Sequence, residues 1–140
     1  MNNENETTYI LSGTVIHGSI VSSDNILIEG SVEGDVVSEK DVNVYGGKTG
    51  GIKAQNVHIK DATIQGELYI NDTVLISQES YVNGPIHAND VKIKGNVVGD
   101  IKASNRLDLF STSVVKGNIQ ANKVTMEEGA VFRGDMRILK

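Results

Sequence analysis

Three histidines, one Gly-Lys-Thr step and a periodic row of carboxylates are the groups in this 140-residue chain whose types could do chemistry. A zinc site needs three or four converging ligands. His17, His58 and His87 fall between or just beyond alternating apolar positions, coils apart, which predicts three separate places on an outer surface. Gly47-Lys48-Thr49 has the ending of a phosphate-binding loop, but the first glycine of that motif would stand where Val42 is. No helix pattern follows, so a corner between strands is the expectation. Cysteine is absent, which excludes thiolate metal sites, Cys nucleophiles and disulfides together. The carboxylates belong to a row Ser19, Asp35, Gly51, Glu67, Pro85, Asp100, Asn118 and Asp135. Acids on alternate rungs of a strand ladder would stand ~9–10 Å apart, a spacing that a catalytic pair could use. Without a cleft the row is expected to be a solvated face whose spacing limits like-charge repulsion.

What positions these residues is a repeat. Gly18, Gly34, Gly50, Gly66, Gly84, Gly99, Gly117 and Gly134 recur 15 to 18 residues apart. Two positions after each comes an apolar residue: Ile20, Val36, Ile52, Leu68, Ile86, Ile101, Ile119 and Met136. Two positions before each stands another, except at Lys48. Four positions after the glycine the residue is mostly small, as in Ser22, Ser38, Ala54, Ala88, Ala103 and Ala121. A second apolar pair follows in each unit, such as Ile26/Ile28, Val74/Ile76 and Leu107/Leu109, with polar corner residues such as Asn56 and Asn71-Asp72 in between. Apolar and polar residues alternate with period two, the mark of short strands with one buried face. So short a unit has no room for a strand, a packed helix and a return. One coil of a parallel β-solenoid fits, with inward ladders of Gly, Ile and Ala. The fold class is therefore all-β, a single solenoid of about eight coils over residues 9–140, preceded by a short disordered polar tail over 1–8. Local irregularity is expected at Lys48 and at Pro85, which lacks a backbone donor.

Composition agrees. Valine and isoleucine number 17 and 15 against 7 leucines, with 4% aromatics and no Trp, which suits pleated strands and argues against a helical bundle. The formal net charge of −5 removes the electrostatic drive for nucleic-acid binding, so no DNA or RNA partner is expected. The polar, acidic start has neither a basic nor an apolar signal region, and no stretch reaches the ~20 apolar residues of a membrane span, so a cytoplasmic protein is expected. The sequence offers no cap for either end of the stack. Tyr9, Ile10 and Leu11 open it; Val131, Phe132, Met136, Ile138 and Leu139 close it. Unpaired edge strands over an open apolar core predict end-to-end stacking through these eight residues. Outward Val21, Leu27 and Val37 offer a weaker, lateral contact.

The G-x-[IVL]-x-[AS] strand at this spacing, closed by Glu128-Gly129-Ala130-Val131-Phe132-Arg133-Gly134-Asp135, resembles the bactofilins over residues 10–138. The resemblance implies a right-handed, triangular β-helix that polymerises into nonpolar filaments without nucleotide or any cofactor. It implies a bacterial cytoskeletal scaffold, not an enzyme, which serves cell shape, cell-wall enzyme placement, or motility and appendage assembly in different members. The partners implied are other copies of itself, client proteins and a second bactofilin. An apolar last coil containing Phe matters for polymerisation in that family, and Phe132 occupies the matching place. Many members carry a longer N-terminal tail with an apolar membrane-binding stretch; the short acidic start here predicts membrane association only through partners. The rival is an acyltransferase of the hexapeptide-repeat class, which should show an aliphatic residue at every sixth position. Here one Gly-centred strand recurs per 15–18 residues.

Overall fold

Alternating β-branched residues make short extended segments, and the corners between them set where each segment stops. A computed structural model describes residues 7–139. After β1 (Thr7–Ile10) come two coils of three short strands each: β2 (Val15–His17), β3 (Ile20–Ser22) and β4 (Asn25–Ile28), then β5 (Ser31–Glu33), β6 (Val36–Ser38) and β7 (Asp41–Tyr45). From the third coil onward the second and third segments join into one strand. These coils are β8 (Lys48–Thr49) with β9 (Ile52–Lys60), β10 (Thr63–Gln65) with β11 (Leu68–Ile76), and β12 (Tyr81–Asn83) with β13 (Ile86–Ile93). Next come β14 (Asn96–Val98) with β15 (Ile101–Leu109), β16 (Val114–Lys116) with β17 (Ile119–Met126), and finally β18 (Val131–Arg133) with β19 (Met136–Ile138).

The protein is all-β, a solenoid of eight coils whose strands pair in parallel with the coils above and below. β2, β5, β8, β10, β12, β14, β16 and β18 stack into an eight-stranded sheet; the remaining strands form an 11-stranded one. The larger sheet bends where its register shifts, between Ile70 and Thr73, Ala88 and Asp90, and Ala103 and Arg106. Two sheets thus make three faces. At ~4.8 Å per strand, eight coils rise roughly 38 Å. The first strand takes in Thr7 and Thr8; the rest of the expected polar tail, 1–6, lies outside the described residues.

The core is one continuous aliphatic cluster in which Ile26, Val42, Val57, Val74, Val91 and Leu107 form one column and Val36, Ile52, Leu68, Ile86, Ile101 and Ile119 another. The small column of Ser38, Ala54, Ala88, Ala103 and Ala121 sits directly before the bend, where two walls converge. The recurring glycines are corners, not inward rungs as the pattern had implied. At Gly117, φ is +147° and a Cβ would fall 2.1 Å from the Gly99 carbonyl oxygen, so the backbones of successive corners touch.

Lys48 does disturb its coil, by a route the spacing did not reveal. Gly46 and Gly47 take positive φ, the strand shortens to two residues, and the inward slot passes to Thr49, 1% exposed, while Lys48 points to solvent. The Thr49 hydroxyl donates to the Gly50 carbonyl at 3.1 Å, so the buried polar atom is satisfied. Pro85 causes no such break. It lies at a corner between strands, and the pairs on both sides, Leu68 with Ile86 and Val82 with Val97, keep register. The ladder asks for no N–H there.

Candidate self-association site

The candidate surface is where the core columns reach the ends of the rod. In the last coil Phe132 continues the column of Val115, Met136 that of Ile119 and Ile138 that of Ala121. Val115, Ile119 and Ala121 are buried, whereas Phe132 and Met136 are half-buried and Ile138 is 48% exposed. At the opposite end Ile16 and Ile20 stand ahead of buried Val32 and Val36 and are themselves half-buried. Among the described residues, the edge strands β1, β2 and β3 and, at the other end, β18 and β19 each pair on one side only. Their outer backbone groups and the apolar columns beneath them form one surface.

The eight residues expected at the ends divide into three groups. Phe132, Met136 and Ile138 are the last described members of core columns. Tyr9, Leu11 and Val131 are largely exposed, but as residues alternating with core positions they face outward along the flanks of the rod. Ile10 is 5% exposed and belongs to the core, and Leu139, just past β19, is half-buried. Four residues outside that set also end core columns: Ile16, Ile20, Val124 and Met126. Val124 and Met126 extend the columns of Leu107 and Leu109, and Met126 is 44% exposed where Leu109 is fully buried. Following each column to its final member, instead of taking apolar runs near the termini, would have found them.

The polar candidates become structural. His17 Nδ1 lies 2.7 Å from Glu33 Oε1 on an exposed flank. His87 lies 3.3 Å from Glu67 and stacks on Tyr69 with ring centroids 4.9 Å apart. His58 packs edge-on against Tyr45 and lies 3.0 Å from the Ser77 hydroxyl. Burial, and secondarily the ammonium groups of Lys60 and Lys94, hold His58 below its usual value of 6.5. Among the described residues no group of three or more His, Cys, Asp or Glu side chains could hold a metal. Of Gly47-Lys48-Thr49, expected as a corner, only Gly47 lies at one; Lys48 and Thr49 form β8.

The carboxylate row is more than a solvated face. Asp35 Oδ1 accepts from the Gly51 N–H at 3.2 Å, Asp100 Oδ1 from Asn118 N–H at 3.0 Å, and Asn118 Oδ1 from Asp135 N–H at 3.2 Å. Each side chain caps the corner of the next coil. Pro85 has no N–H to be capped, and the Glu67 carboxylate below it turns to His87 instead. A parallel row at the bend does the same, with Asn25 accepting from Asp41 N–H at 3.1 Å and Asn56 from Thr73 N–H at 3.0 Å. Val21 and Val37 pair on the outer surface, and Leu27 lies on the adjoining face.

A stack of parallel coils around one continuous aliphatic core defines a β-solenoid. The chain belongs to the bactofilin family: the family model, described as polymer-forming cytoskeletal, matches residues 8–71 and 49–137. The two matches overlap, as a repeat allows. Bactofilin BacO of Myxococcus xanthus (strain DK1622) is 27% identical over 129 residues, covering 92% of this chain and 82% of that protein. Bactofilin BacP of the same organism is 30% identical over 71 residues, covering 51% of this chain and 30% of that one. No solved structure matches this chain. Together the family and the fold make this a polymer-forming cytoskeletal protein.

Proposed function

We propose that the solenoids join end to end into filaments without nucleotide, and that the filament is a cytoplasmic scaffold which positions client proteins and reaches the membrane only through partners. The observation that carries this reading is the emergence of core columns at the ends, through Phe132, Met136, Ile138, Val124 and Met126 on one side and Ile16 and Ile20 on the other. Joining buries these side chains, each worth ~1.5–3 kcal/mol when fully removed from water, and lets edge strands find partners. A filament repeats the same flank many times, so a weakly bound client meets a high effective concentration of sites.

The test is Phe132→Arg, which places a charge in the apolar joint at a cost on the order of several kcal/mol. Wild-type protein without nucleotide is expected to pellet at high speed as filaments visible by electron microscopy. The variant is expected to stay in the supernatant with an unchanged β-sheet circular dichroism spectrum. Long polymers of the folded variant would reject this end joint.

A further inference from the structure

The rod is electrically two-ended. Its first four coils with β1, residues 7–80, carry ten carboxylates against four lysines, a formal −6 with His neutral. The last four coils, residues 81–139, carry eight Lys and Arg against six carboxylates, a formal +2. Because each coil adds one rung along the axis, this division in sequence is also a division in space. The charges are not consumed internally. Lys92, Lys102, Lys116 and Lys123 in the basic half are exposed, as are Glu29, Glu33, Glu39 and Glu67 in the acidic half. Among the described residues four side-chain pairs join acidic to basic groups, two of them through histidine; Glu67 with His87 crosses from one half to the other, and no Lys or Arg of the basic half pairs with a carboxylate of the acidic half.

We infer that neighbouring copies of this chain lie side by side with the acidic half of one rod against the basic half of the next, an antiparallel pairing for two isolated rods. The occupant of each flank is a second copy because the complementary charge is carried by the same molecule. Parallel alignment sets −6 against −6 and +2 against +2, whereas antiparallel alignment sets each half against its opposite. Apolar residues already stand on the acidic half's flanks, with Val21 and Val37 in one outer column and Tyr9 beside Leu27 in another, so contact there also removes apolar surface from water. The inference rests on the filament reading above, since in filaments the same matching produces bundles.

Bundles pellet at low speed and single filaments only at high speed, which separates lateral from end contacts. At ~0.01 M salt, where the screening length is about 30 Å, the wild type is expected in the low-speed pellet; at ~1 M, where it is about 3 Å, only in the high-speed one. The fourfold variant Lys92→Glu, Lys102→Glu, Lys116→Glu and Lys123→Glu makes both halves acidic and is expected to lose the low-speed pellet while keeping the high-speed one. Adding Glu29→Lys, Glu33→Lys, Glu39→Lys and Glu67→Lys inverts the original −6 and +2, and is expected to restore bundling. Bundling that ignores salt, survives the fourfold variant or is not restored by the eightfold one overturns the inference. If the wild type yields no high-speed pellet at either salt, the filament reading fails. Sedimentation velocity of the rods then decides the pairing: a dimer at ~0.01 M that dissociates at ~1 M supports it, and a monomer at both overturns it.

Discussion

An interior coil and the last coil follow one sequence pattern and have opposite environments. Leu109 and Ala121 are fully buried, whereas Met126 and Ile138, one coil later in the same columns, are nearly half exposed. Residue type does not explain this, because Met and Ile are as apolar as Leu and Ala. The neighbour does: interior rungs are covered on both sides, and no described coil packs beyond the terminal ones. Each coil of such a stack owes its stability to the interfaces it makes with adjacent coils. The surface of the terminal described coils is therefore the core itself, cut across, and it is there that the proposed joint lies.

The comparison can be broken most severely at the glycine corners. Gly117→Ala drives a methyl into the Gly99 carbonyl and is expected to cost more than about 4 kcal/mol. Gly18→Ala, at the first corner, has φ of +129° but nothing within 4 Å of the new methyl, so only the backbone term of about 1–2 kcal/mol remains. Urea melts of both in the Phe132→Arg background measure this, and equal losses would contradict the account. Within one column, Leu109→Ala is expected to cost about 3 kcal/mol in the same melts, and Met126→Ala under about 1. In protein that can polymerise, the Met126 change should instead raise the concentration at which filaments appear.

Smaller effects probe the corner caps. Asp100→Ala removes the acceptor of the Asn118 N–H and is expected to lose about 1 kcal/mol. Glu67→Ala, beneath Pro85, loses only an exposed pair with His87 and should fall within about 0.5 kcal/mol of wild type. The smallest effect is on pH. Since the folded His58 value lies below 6.5, the unfolded chain binds its proton first as pH falls through 6.5, and stability declines until the folded value is passed. Above 6.5 this group contributes no slope. Thermal melts on either side of pH 6.5 should show a smaller decline for His58→Gln than for wild type.

Much of this architecture can be read from residue order because a solenoid writes each column as a period. Alternation placed the Ile and Val columns, and small residues such as Ala103 and Ala121 marked the bend. Pairing across coils was harder to see. Nothing local in Lys48-Thr49 says which of them faces inward; the answer depends on Gly46 and Gly47 stacking on the coil below and removing one residue from the strand. The capping by Asp35, Asp100 and Asn118 was likewise hidden, because it joins residues 16 to 18 positions apart through backbone donors that every residue but proline has. At the ends, Tyr9-Ile10-Leu11 reads as an apolar run, and only the parity of the strand shows that Ile10 turns inward while its neighbours face the flank.

The central claim, that the exposed terminal rungs are the joint, is tested most directly by amide hydrogen exchange on assembled wild type against unassembled Phe132→Arg. Polymerisation should slow exchange in β18, β19 and β1 to β3 and leave the interior strands β11, β13 and β15 unchanged. Equal exchange of the terminal strands in the two samples, with wild type shown to be filamentous, would contradict it.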